Sequence, residues 1–174
     1  SQKLALKLAS LLSEKDPLQG YRQSDIEKRL SWINTSTDKI VHRHNQFIQQ
    51  LNKHIQPHFH KGKDKVLDIA LETARLLANA FPDRIGKRHS VTDGRKVSYK
   101  LANGRMADLF IEDHLSQSEW LIAIDIGGTT VAKNDEIYLA CNFPPHLIET
   151  ELTHLISHQT HLIWPKNADA LIAK

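Results

Sequence analysis

Cysteine is almost missing from this chain: Cys141 stands alone among 174 residues, so no disulfide can close within it. Its setting, EIYLACNF, fits a small buried apolar group on a strand, and a reducing cytoplasm is the expected compartment. Long apolar runs are missing too. None approaches the ~20 residues needed to cross a bilayer, and no charged-then-apolar opening resembles a signal peptide. There is no internal repeat, Walker-type loop, Gly-rich dinucleotide fingerprint or Ser–His–Asp order, so no residue reads as catalytic.

What is present describes a soluble globular protein, with 40% apolar and 25% charged residues. The length suits one ordinary domain or two small ones. The net charge of +3 is unevenly spread. Residues 1–80 carry 13 basic and 8 acidic side chains, residues 81–110 carry 7 and 3, and residues 111–174 carry 3 and 9. A basic mid-chain stretch followed by an acidic segment points to a polyanion touching one part of the surface, or to a solvated face.

The first half reads as helix. Leu4, Leu8, Leu11 and Leu12 form one stripe, broken by Pro17 and Gly20. Ser24 and Glu27 have capping-box spacing before a short helix through Trp32. Ile40, Val41, Phe47, Ile48, Leu51 and Ile55 outline a third helix ending near Pro57. Asp64 is the expected cap of a fourth, central helix running to Pro82. Beyond Pro82 the pattern changes to short strand-like runs, KRHSV, KVSYKLA, MADLFI, WLIAIDI, TTVA and EIYLACNF, punctuated by TDGR, NGR and GG turns. A helix over 146–158 and a hairpin turning at PKNA complete it. The expectation is an α+β chain: a helical bundle over 1–80, then a small antiparallel OB-like β-barrel with one helix over 81–174.

DIGGTT at 125–130 spells the phosphate turn of actin-like sugar kinases. Such kinases need further loops far downstream, whereas a Gly-Gly pair between two strand-like runs is an ordinary hairpin turn. The histidine groups, His42/His44, His54/His58/His60 and His154/His158/His161, lack a Cys or carboxylate that completes a ligand set, and no metal site is assigned. The basic stretch is more informative. Arg84, Lys87, Arg88, Arg95, Lys96, Lys100 and Arg105 surround the first three strands with Tyr99 among them, a composition suited to phosphate contact beside an aromatic platform. The competing reading is a solvated basic face with Tyr99 in the core.

Three runs are recognisable: ETARLLANAFPDRIGKRH, YKLANGRMADL and SQSEWLIAIDIGG. They resemble the region C-terminal to the motor in bacterial HrpB-type DEAH/DExH-box helicases. The likeness rests on Leu77, Ala78, Ala80, Pro82, Asp83, Arg84 and Ile85, then on Leu101 through Arg105, then on Glu119, Trp120, Leu121, Asp125 and Gly127. Upstream, LALKLASLLSEKDPLQG is similar to that family's ALLSERDPLRG segment. Met106 departs from the family's usual glycine, and the tail lacks its Arg-rich finish. The resemblance implies a ratchet-like helical bundle and an OB-like domain that help enclose single-stranded RNA or DNA. It also implies that the chain is a fragment, with ATP and Mg bound by motor domains outside it. No cofactor is expected in the chain itself. A regulatory protein partner on the acidic segment after residue 111 is the alternative.

Overall fold

The computed structural model describes residues 2–55, 68–92, 94–128, 134–156, 162–163 and 172–173. Four helices come first: α1 (Gln2–Ser13), α2 (Ile26–Thr35), α3 (Lys39–Ile55) and α4 (Ile69–Ala80). In α1 the inward residues are Leu6, Leu8 and Leu11, while Leu12 is exposed. The expected stripe is shifted because α1 packs against α2, α3 and α4 and is covered on more than one side. The α2 cap is Asp25, whose carboxylate accepts the Glu27 N–H at 2.8 Å. Ser24 does not cap. Its carbonyl accepts the Ala140 N–H at 2.8 Å and its own N–H donates to Asp113 Oδ2 at 2.6 Å. Asp64 lies outside the described residues. Asp68 caps α4, accepting the Ala70 and Leu71 N–H groups.

Five strands follow: β1 (Ile85–Thr92), β2 (Lys96–Leu101), β3 (Met106–Phe110), β4 (Trp120–Gly127) and β5 (Asp135–Asn142). They pair in the order 1-2-3-5-4, and β4 also pairs with β1, so the sheet closes on itself. It is a mixed sheet, not the all-antiparallel one expected, because Ala107 and Asp108 of β3 run parallel to Asp135 and Glu136 of β5. The reason is parity: a ring of five strands cannot alternate direction all the way round. The helix expected over 146–158 is shorter, α5 (His146–Thr150), and a 3₁₀ turn follows at Thr153–Leu155. Leu147 and Leu152 both turn inward, which bends the chain there. Residues 157 and 158 lie outside the described residues, as does the PKNA turn. Its flanks, β6 (Leu162–Ile163) and β7 (Ile172–Ala173), pair antiparallel.

WLIAI shows no alternation because β4 has a core on each side. Leu121 and Ala123 face the barrel interior with Val97, Tyr99, Leu101 and Leu109. Ile122 and Ile124 face the other way, joining Leu8, Leu11, Leu30 and Leu77 of the helices in one apolar cluster with Cys141 and Phe143. Burial raises the Cys141 thiol far above its usual pKa. The turn after α1 is held by Arg29, a nearly buried guanidinium that pairs with Asp16 at 2.9 Å. Its Nη1 also donates to the Gln23 and Asp25 carbonyls.

Candidate nucleic-acid interface

The ring brings residues far apart in sequence onto one outer row. Lys87 of β1 faces Lys100 of β2 on one side and Trp120 of β4 on the other, and Lys100 in turn faces Met106 of β3. Such a close crossing of β1 needs Gly86, since a Cβ there would stand 2.8 Å from Leu101 Cδ2. A bulge between Arg88 and Ser90 then turns the rest of β1 outward, leaving Arg88 and His89 exposed.

Beside this row lies a groove of about 390 Å³. Its floor is Ile85, Leu101 and Trp120, and its far wall is Ile148, Leu152, Leu155 and Ile156 from α5 and the turn after it. Lys87, Arg88 and Lys100 stand at its edge. The Lys87 ammonium sits 5.1 Å from the Trp120 ring centroid and 3.8 Å from the Glu119 carboxylate. Among the described residues Arg88 and Lys100 have no ion-pair partner. Arg75 holds the outer wall in place, pairing with Glu72 on its own helix and with Glu151 after α5 at 3.3 Å.

The other four basic residues of this stretch do not join that edge. Lys96 pairs with Glu136 at 3.0 Å and lies 4.4 Å from the Phe110 ring centroid. Arg105 pairs with Asp135 at 2.5 Å. Both partners come from β5, whose acidic start neutralises this side of the barrel. Arg84 stands 3.5 Å from Asp83, in a junction where the Asn103 N–H donates to the Asp83 carbonyl and the Ala102 N–H to the Ile85 carbonyl. Asn103 closes its own turn by accepting the Arg105 N–H at 3.0 Å, with Gly104 at φ 86°. Arg95 is exposed at the opposite tip of the β1–β2 hairpin.

Tyr99 is fully buried, and its hydroxyl donates to the Ser118 and Leu115 carbonyls at 2.9 and 3.1 Å. Desolvation raises its pKa to about 12. It is a core residue, unable to stack. The aromatic on this edge is Trp120, half-buried against the helical apolar cluster, which the basic-residue pattern alone did not single out. The signal for it was its place at the start of a strand directly after an acidic residue, and its partner Lys87 is 33 positions upstream.

GG is not itself the turn expected: β4 runs through Gly127, which pairs with Glu136 of the antiparallel β5, and TTVA lies outside the described residues. Neither Gly127 nor Gly128 has a positive φ. At Gly127 a Cβ would stand 3.1 Å from the ring of the exposed Tyr138, a tight contact that the ring would have to shift to accept. Thr129 and Thr130 lie outside the described residues, as do His58, His60, His158 and His161. His44 is buried between Ser10 Oγ and the Lys15 carbonyl, each at 3.2 Å. Among the described residues no three His, Cys, Asp or Glu side chains group as metal ligands.

No family model matches the chain. Over 50 residues it is 56% identical to the ATP-dependent RNA helicase HrpB of Escherichia coli (strain K12), a stretch covering 29% of this chain and 6% of that protein. A crystal structure of the E. coli DExH-box NTPase HrpB matches 98% of this chain, at 27% identity and a TM-score of 0.73. Sequence and structure neighbours both point to the HrpB DEAH/DExH helicase. A second HrpB structure, described as a DEAH/RHA helicase, gives a TM-score of 0.63 at the same identity and coverage. The chain spans 19% of the length of either solved HrpB chain. Among the described residues no helix is long and apolar enough to cross a membrane.

Proposed function

We infer that this chain is the accessory, single-strand-binding region of an HrpB-like, ATP-dependent DExH-box helicase. In this reading residues 1–80 are the helicase-associated bundle and residues 81–174 the OB-like domain. The closed five-stranded ring supports the OB-like assignment. ATP and Mg belong to motor domains of the same polypeptide, and the compartment is the cytoplasm. The chain contributes phosphate contact while the motor supplies the driven step.

One observation carries the reading. Lys87, Arg88 and Lys100 converge on a single edge beside Trp120, in a chain 98% of which matches a part of an HrpB structure. Cations on a flexible stem bind phosphate with little regard to sequence, which suits a translocating enzyme. Arg84, Arg95, Lys96 and Arg105 are secondary contributors, since three of them have acidic partners to give up first.

The test is fluorescence anisotropy of the chain with labelled single-stranded RNA and its DNA equivalent across a salt series. Three phosphate contacts give a slope of log K against log salt near −2, at about 0.7 per contact. The Lys87/Arg88/Lys100→Glu variant should abolish binding, and an Arg84/Arg105→Glu variant should weaken it less. No salt-dependent binding at low salt would end the reading. A second reading is a protein-docking module. Leu12 and Tyr138, both exposed, line another groove with Glu14 and Asp125, an acidic setting for a basic partner.

A further inference from the structure

Phosphate contact accounts for the cations on this face but not for the apolar groove they border. We propose that the groove between the outer row of the barrel and the α5 turn takes one unstacked base of a bound single strand, with the Trp120 indole as its platform. The proposal rests on the single-strand reading above and adds what that reading leaves open: contact with the bases as well as the backbone.

Four observations support it. The groove is lined by Ile85, Trp120, Leu155 and Ile156, and its volume lies within the roughly 300–1,000 Å³ of small-molecule sites. Leu155 and Ile156 remain 37% and 42% exposed, so apolar surface faces water there with nothing over it among the described residues. The Lys87 ammonium already rests near the indole, so this aromatic surface is within reach of a group from outside the core. A base can displace it, because the lysine stem is flexible and the ammonium gains a phosphate in exchange. Finally, Lys87 and Lys100 are direct cross-strand neighbours and Lys87 is the direct neighbour of Trp120. Base platform and phosphate donors are thus spaced by single strand-to-strand steps.

The chemistry sets the selectivity. Apart from His89, the groove edge offers cations and the walls offer hydrocarbon, so any base fits and sequence preference is weak. Bases paired within a duplex are not available to it. Glu119 is the opposing charge on this edge and must release Lys87 when a strand enters.

The experiment compares a labelled uridine oligomer with an abasic oligomer of equal length and charge, binding to the full chain. The expected result is about tenfold tighter binding of the intact oligomer. That difference should vanish in Trp120→Ala while abasic binding stays unchanged. Ile156→Glu, at an exposed position outside both core clusters, should abolish it as well. This second variant carries the test if Trp120→Ala does not fold. Equal, salt-dependent binding of both oligomers would overturn the base groove and leave the phosphate reading standing. No binding of either would overturn the phosphate reading and the groove with it.

Discussion

Lys87 and Lys100 stand directly opposite each other on β1 and β2, two cations on the same outer face of the barrel. Like charges in that position destabilise a sheet, by a few tenths to about 1 kcal/mol. Replacing one should therefore help the fold and harm the proposed function. Lys100→Glu is expected to raise unfolding free energy by about 0.5 kcal/mol while weakening single-strand binding. Urea denaturation and anisotropy on the same preparation check both signs. A loss of stability would mean that Lys100 makes a favourable contact in the fold.

Tyr99 ties the barrel to the loop before β4 through its hydroxyl. Tyr99→Phe should cost about 1–2 kcal/mol near neutral pH, leaving buried carbonyls without a donor. Its folded pKa of about 12 lies above the ordinary 10.0. The neutral form is favoured by folding, so its contribution is complete below pH 10 and is lost as pH rises toward about 12. Urea titrations across that window should show a falling limb in the parent chain that is shallower in Tyr99→Phe. Nucleic-acid binding should be unchanged by this substitution.

Arg29 joins α2 to the loop after α1 by pairing with Asp16 and donating to two backbone carbonyls. Arg29→Met keeps much of the packing but removes every donor. A loss of about 2–3 kcal/mol is expected, because hydrogen bonds to charged groups contribute more than neutral ones. Chemical denaturation measures it. A change below about 0.5 kcal/mol would mean that water replaces the guanidinium at no cost.

Asp113 links the two halves of the chain. It is buried, and its carboxylate accepts the Ser24 N–H from the helical half and the Leu115 N–H from its own turn. Asp113→Ala should destabilise by about 2 kcal/mol. It should also speed hydrogen exchange at the Ser24 and Ala140 amides, which belong to the same junction. Unchanged exchange at those two amides would show that the contact between helices and barrel rests on the apolar cluster alone.

The strands of the second half were legible almost to the residue because punctuation marks them. Gly94 and Gly104, in the TDGR and NGR turns, take φ values of 63° and 86° that other residues avoid. The buried Cys141 was legible from its apolar neighbours. Ser24 was misread as a cap because its backbone is used by a strand more than a hundred positions away, through Ala140. The expected all-antiparallel barrel failed for a reason that counting could have supplied, since five strands in a closed ring require a parallel pair.

The basic stretch shows most clearly where reading by sequence stops. Composition and spacing, by themselves, determined that seven cations gather between residues 84 and 105, that strands carry most of them, and that a helical half precedes them. The likeness to HrpB-type helicases rested instead on particular runs, ETARLLANAFPDRIGKRH, YKLANGRMADL and SQSEWLIAIDIGG. Which cations remain available was decided by tertiary structure. β5 folds back beside β3 and delivers Glu136 and Asp135 to Lys96 and Arg105, and β4 closes on β1 and delivers Trp120 to Lys87. Local sequence specifies side-chain chemistry and strand period, but charge neutralisation depends on distances of a few ångströms between segments. Only the closure of the ring sets those distances.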